Sequence, residues 1–208
     1  MDAYPDRDGP GPVLLHADAL GAGSPGQVLF EGLSLVLRPG LCLVRGGDGR
    51  GKTTLLRLLA GRSTPRVGRV HAPAGTPWLA DATDAADDGL RARDWLAARR
   101  VSLPPWDEAR ADALVAAFAL GAHLDKELFR LSTGTRRKLA LLAAFAGGAP
   151  VTLLDTPFAA LDGPSREVLA TLLAEAAGHR GRAWVVADHE RPDAIRGLRL
   201  CAEIDLGD

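Results

Sequence analysis

The chain has 208 residues, enough for one domain with a real hydrophobic core. An apolar fraction of 47% and a charged fraction of 25% are those of a soluble globular protein, and a net charge of −1 argues against a nucleic-acid binder or a basic membrane-surface protein. The longest uncharged run, residues 139–154, is too short and too interrupted by Gly147, Gly148 and Pro150 to cross a bilayer.

From the N-terminus, residues 1–12 are dense in Pro, Gly and Asp and are expected to form a disordered lead, and their polar, acidic start does not read as a secretory signal. Residues 13–15 and 27–30 read as strands separated by a loop over residues 21–26, and residues 33–37 as a third, closed by the turn at Pro39 and Gly40. Residues 41–44 form a short buried strand. After it stand Gly46, Gly47, Asp48, Gly49, Arg50, Gly51, Lys52 and Thr53, a full match to G-x-x-x-x-G-K-[ST]. Glycines let such a loop take φ > 0 and turn successive N–H groups toward phosphate oxygens, and the helix that follows aims its positive end at the same anion. Lys52 is expected to reach the β- and γ-phosphates, and the Thr53 hydroxyl, with Thr54 beside it, to lie at a Mg²⁺ ion. The order strand, loop, helix predicts a site for a nucleoside triphosphate.

The first helix is expected to run from Thr53 to about Ala60 and to stop at Gly61, with strands over residues 67–71 and 78–80. Residues 89–100 and 107–120 read as helices separated by Pro104 and Pro105, with Gly121 ending the second; another begins near Ser132 and runs through Phe145. These place a helical subdomain at about residues 84–146 inside a single domain spanning residues 1–208. Residues 151–155 then form a buried strand, a helix follows Asp162 with Pro164 in its first turn, and residues 183–188 and 199–205 are strands. Cys42 and Cys201 fall in predicted strands and read as buried thiols of a reducing compartment; the four tryptophans read as packing residues.

A phosphate loop alone leaves kinases, GTPases and many ATPases open. Further motifs narrow the choice. Leu131-Ser132-Thr133-Gly134-Thr135 stands at a helix start, where Ser132 is a good N-cap and Gly134 allows close backbone approach, so this is a second candidate anion site. Asp155 ends an apolar strand and is followed by Thr156-Pro157 and then Phe158-Ala159-Ala160-Leu161-Asp162; His189 follows the next strand. In order and spacing, this set resembles the ATP-binding cassette (ABC) ATPases from about Val13 to Asp205, with LSTGT in place of LSGGQ, LLDTP in place of LLDEP, and AALD in place of SALD. Within that family, the compact size and the Trp78-Leu79 stretch are similar to the haem-exporter ATPases of cytochrome c maturation.

The resemblance implies an α/β fold: a P-loop NTPase core of ABC type, with a mixed sheet, antiparallel N-terminal strands and an inserted α-helical subdomain. It implies that residues 46–54 bind ATP, that Thr53 and Asp155 hold Mg²⁺, and that His189 touches the γ-phosphate. Ser132 and Gly134 would cap the γ-phosphate held by the opposite subunit of a head-to-tail pair, and Asp162 would lie at the nucleotide. Lys52, Asp155, Thr156 and His189 fall at catalytic positions. The implied partners are a second nucleotide-binding subunit, identical or related, and an integral-membrane permease that holds the chain on the inner face of the membrane. Nucleic acid is not an expected partner.

Three positions depart from the family pattern. Thr156 stands where a glutamate would polarise the attacking water, and threonine is no base near neutral pH. No glutamine follows the strand at Trp78, where Asp81 and Ala82 stand instead; Gln27 is the only glutamine of the chain. Between Tyr4 and Phe30 there is no aromatic residue to stack on a base, and Asp48 replaces the usual asparagine, with Arg50 as a candidate to offset its charge. The expected function is the ATP-binding subunit of an ABC transporter, with hydrolysis weakened at Thr156. The alternatives are a non-hydrolysing ATP-controlled assembly module of the same type and a small-molecule kinase sharing only the phosphate loop.

Overall fold

The computed structural model describes residues 11–207 except Pro25 and Thr83, so nearly all of the expected lead lies outside the described residues. The chain divides into two compact units, one of residues up to 79 with 150–156 and 173 onward, the other of residues 80–149 and 157–172.

The first unit holds both sheets. β1 (Leu15–Ser24), β2 (Gln27–Leu37) and β4 (Val67–His71) form an antiparallel sheet in the order β2-β1-β4. β5 (Trp78–Leu79), β6 (Val151–Asp155), β7 (Ala183–Asp188), β3 (Gly40–Arg45) and β8 (Ala202–Asp205) form a parallel sheet in that order. Strands 27–30 and 33–37, expected to be separate, are the single β2, and the expected loop over residues 21–26 shrinks to the turn after Ser24. The cause is irregular register: the β1–β2 ladder shifts between Ala17 and Leu20 and again on either side of Ala22, and Gly32, at φ 67, absorbs one shift without breaking the strand. On β1 the inward positions are Leu15 and Ala17, then Leu20 and Ala22, because Ala19 at φ 47 changes the parity.

β3 is buried at every position up to its terminal Arg45, as a central parallel strand requires. α1 (Lys52–Leu59) lays Leu55, Leu56 and Leu59 into a core with Leu15, Leu37, Val44, Val151, Leu153, Val185 and Ile204. Cys42 lies in that core, where burial pushes its thiol well up; Cys201 falls one residue short of β8 and is pushed up to about 11 by burial. Both therefore stay protonated and unreactive near neutrality.

The second unit is mostly helical: α2 (Ala92–Ser102), α3 (Glu108–Ala117) and α4 (Thr133–Ala146). α2 starts later than expected because the backbone of residues 90–92 is tied to residues 126–128, with Ala92 N–H donating to Lys126 O and Leu128 N–H to Leu90 O, both at 2.9 Å. α3 ends before Gly121 because Ala119, not the glycine, takes the left-handed turn, at φ 53. Trp95 is fully buried on α2 and donates from Nε1 to Asp87. α5 (Gly163–Ala177) begins in this unit and ends in the first.

Gly134, in the first turn of α4, lies so near the 157–162 segment that a Cβ there would stand 2.4 Å from the Ala160 carbonyl oxygen. Gly134→Ala is expected to destabilise the protein by about 2–3 kcal/mol through that backbone clash. The corresponding drop in melting temperature, about 5–10 °C, is measurable by calorimetry.

Candidate phosphate-binding site

The first unit's site grows from three neighbouring parallel strands. β3 ends at Arg45, β7 at Asp188 and β6 at Asp155, with Arg45 opposite Asp188 and Asp155 opposite Ala187 in the ladder. The loops leaving these carboxyl ends carry the phosphate loop, His189 and Thr156, so the sheet register sets their spacing. This edge is where open α/β sheets take their ligands.

The loop is braced on both sides. Gly47 N–H donates to the Gly207 carbonyl at 2.9 Å, which ties the loop to the segment after β8. Gly51 is the N-cap of α1 at φ 92, and a Cβ there would lie 3.1 Å from Leu29 Cβ and 3.2 Å from the Phe30 ring. Only glycine meets both demands. No side chain caps α1, so its first-turn N–H groups point into the cleft as an anion-binding end. Lys52 is buried, and its Nζ donates to the carbonyls of Gly46 at 2.5 Å and Gly47 at 2.8 Å. The ammonium is thereby fixed inside the loop rather than left on a flexible stem.

Thr53 Oγ1 donates to Asp155 Oδ2 at 2.6 Å, across 102 residues of sequence. A hydroxyl and a carboxylate are hard oxygen donors, and so few protein ligands suit Mg²⁺, which keeps waters and takes substrate phosphates for the rest of its shell. Beside them Thr156 has φ 41, a conformation a β-branched residue rarely takes, and its N–H donates to the Ala187 carbonyl at 2.8 Å. His189 Nε2 stands 2.9 Å from Asp48 Oδ1, so the group facing Asp48 is this imidazole rather than the expected Arg50. Lys52, Thr53, Thr54, Asp155, Thr156, His189 and Asp48 all line one cleft of ≈ 290 Å³. A neighbouring cleft of ≈ 400 Å³ shares Leu29, Asp48 and Gly49 with it and is further walled by Gln27, Val28 and Arg50.

Ser132, Gly134 and Asp162 belong to the second unit. Ser132 caps α4: its Oγ accepts from Thr135 N–H at 3.1 Å and lies 2.9 Å from Thr135 Oγ1. Asp162 accepts from Lys138 Nζ at 2.6 Å and from Ser165 N–H at 2.9 Å, and the Lys138 hydrogen bond holds its carboxyl well below the usual carboxylate range. Sequence reasoning missed Lys138 and Gly207 as supporting groups. Neither carries a local signal, since each acts through a contact distant in sequence.

A braced glycine loop with a fixed lysine and a hydroxyl–carboxylate pair at the edge of a parallel sheet defines a P-loop nucleotide-binding protein. The model of the ABC transporter family matches residues 30–159. The chain belongs to the ABC transporter family, as an ATP-binding subunit with the ABC ATPase fold. It is 32% identical over 201 residues to the "Cytochrome c biogenesis ATP-binding export protein CcmA" of Hyphomonas neptunium, covering 93% of this chain and 96% of that one. It is 38% identical over 183 residues to the protein of the same description from Sphingopyxis alaskensis, covering 85% and 90%. Among solved structures, an ATP-binding subunit of an ABC transporter superposes with a TM-score of 0.71 at 21% identity, over 85% of this chain and 79% of that one. A nucleotide-free ATP-binding cassette superposes with a TM-score of 0.66 at 16% identity, over 88% and 84%. Among the described residues no helix is long and apolar enough to cross a membrane.

Asp155→Asn keeps an acceptor for Thr53 but removes the negative charge. Titration calorimetry with and without Mg²⁺ is expected to show the metal's enhancement of ATP binding reduced at least about tenfold, with binding in chelator unchanged.

Proposed function

We propose that this chain binds and hydrolyses MgATP in a head-to-tail pair of nucleotide-binding subunits and thereby drives a separate membrane permease in an export step of cytochrome c biogenesis. The observation that carries the nucleotide reading is the 2.6 Å contact between Thr53 and Asp155 beside the fixed Lys52. Full-length similarity to proteins described as cytochrome c biogenesis ATP-binding export proteins supports the export step.

In this reading, Thr53 and Asp155 would hold Mg²⁺, which would supply charge neutralisation to the triphosphate. The chain's own residues do the positioning. The loop N–H groups and the end of α1 hold the phosphates, and Lys52 sets its charge against the β- and γ-oxygens without reorganising. Val28, 57% exposed, and Leu29 offer an aliphatic wall for the base in place of an aromatic stack. Ser132 and Gly134 of one copy meet the γ-phosphate held by the other, and the helical block over about residues 84–146 docks the permease. Thr156 favours one second reading, an ATP-controlled assembly module without turnover; ATP-induced pairing without phosphate release would select it.

Ser132→Asp retains a residue that caps helices as well as serine does but puts a negative charge against the partner's γ-phosphate. Folding and MgATP binding are expected to stay near wild type. Pairing with a non-hydrolysable ATP analogue, followed by light scattering, is expected to disappear; unchanged pairing would exclude the head-to-tail arrangement. Deleting the gene is expected to abolish covalently haem-bearing cytochromes c on haem-stained gels. Normal staining would remove the export assignment and leave the nucleotide site standing.

A further inference from the structure

We propose that Asp48 and His189 form the proton-accepting pair of ATP hydrolysis, with His189 as the base and Asp48 as its positioning residue. The inference deepens the hydrolytic reading above and rests on it.

The cleft containing Lys52 and the Thr53–Asp155 pair has few groups able to take a proton from water. Thr156 cannot, and Asp155 is committed to Thr53 at 2.6 Å. That leaves His189 and Asp48, which are 2.9 Å apart. Asp48 is 92% exposed and His189 49%, so as an ion pair they contribute little to folding. Their consequence is orientation. With Nε2–H donated to Asp48, the imidazole presents Nδ1 as its acceptor. The backbone reinforces the placement, since His189 N–H donates to Asp188 Oδ1 at 2.8 Å. Asp48 faces the ring; Lys52 from the loop and Asp155 from β6 line the same cleft, and Asp188 at its own strand end holds the His189 backbone N–H.

The step balances. The water oxygen bonds to the γ-phosphorus as its proton passes to His189 Nδ1, and the bond from the γ-phosphorus to the bridging oxygen breaks with its electron pair leaving on ADP. The imidazolium, held by the Asp48 carboxylate through Nε2–H, then releases the proton to solvent. The acid is costly to phosphate binding, because a carboxylate in the loop repels the triphosphate. That cost gives the proposal a distinctive kinetic mark.

Steady-state phosphate release by the full chain, together with single-turnover measurements, tests it. Asp48→Asn is expected to lower kcat by about tenfold or more while KM for MgATP stays constant or falls. His189→Ala is expected to lose about 10²–10⁴-fold in kcat, and the double variant no more than His189→Ala alone. Thr156→Glu placed in the Asp48→Asn background is expected to restore turnover. An unchanged or raised kcat in Asp48→Asn, additive losses, or MgATP binding without any single-turnover hydrolysis by the wild type would overturn the pair and leave nucleotide binding intact. Absence of MgATP binding would instead overturn the reading on which it rests.

Discussion

The hydrogen bond from Thr53 to Asp155 depends on the parallel sheet, and the phosphate site depends on that bond. Thr53 lies in the first turn of the helix after β3, whereas Asp155 ends β6, and β7 lies between the two strands. Their side chains meet at 2.6 Å only because both strands run the same way and end at the same edge, in a register fixed by the pairing of Arg45 with Asp188 and of Asp155 with Ala187. A slip of one residue in either ladder would move the carboxylate by about 3.3 Å and turn it to the other face. The buried runs of β3, β6 and β7 are thus what positions the hydroxyl–carboxylate pair.

Charge in the loop follows from the same rigidity. Burying an ammonium without partners is costly, and Lys52 offsets that cost with the carbonyls of Gly46 and Gly47. The loop must then hold its shape for those carbonyls to converge, which the Gly207 carbonyl at one side and Leu29 and Phe30 at the other enforce. The hairpin of β1 and β2 therefore holds the loop's shape through packing against Gly51, although it supplies no polar group to the Thr53–Asp155 pair.

Much of this was legible in the sequence where residue type dictates backbone shape. The phosphate loop is spelled by its glycines and lysine, and Asp155 by the apolar run before it. The start of α4 is marked by Ser132, whose hydroxyl does accept from Thr135. The sequence misled where a local signal had a competitor. Gly121 looked like the end of α3, but Ala119 makes the left-handed turn, and the glycines near residues 21–32 suggested loops where register shifts let them stay in strands. The pairings of Asp48 with His189 and of Lys138 with Asp162 were not legible, because contacts between distant side chains leave no periodic trace.

The second unit shows how such a contact can change the meaning of a motif residue. Both oxygens of Asp162 have donors, Oδ2 from Lys138 on α4 and Oδ1 from Ser165 in the first turn of α5. Gly134 meets the Ala160 carbonyl two residues earlier, and Ala160 takes φ 59 to present it. The segment over residues 158–162 is thereby clamped to the start of α4, the turn that Ser132 caps. With its charge matched by Lys138, Asp162 helps to fix that helix start. The position of the serine hydroxyl is then set by residues about thirty positions away, and a change at Ala160 or Asp162 would reach the serine-tipped end of α4 through packing alone.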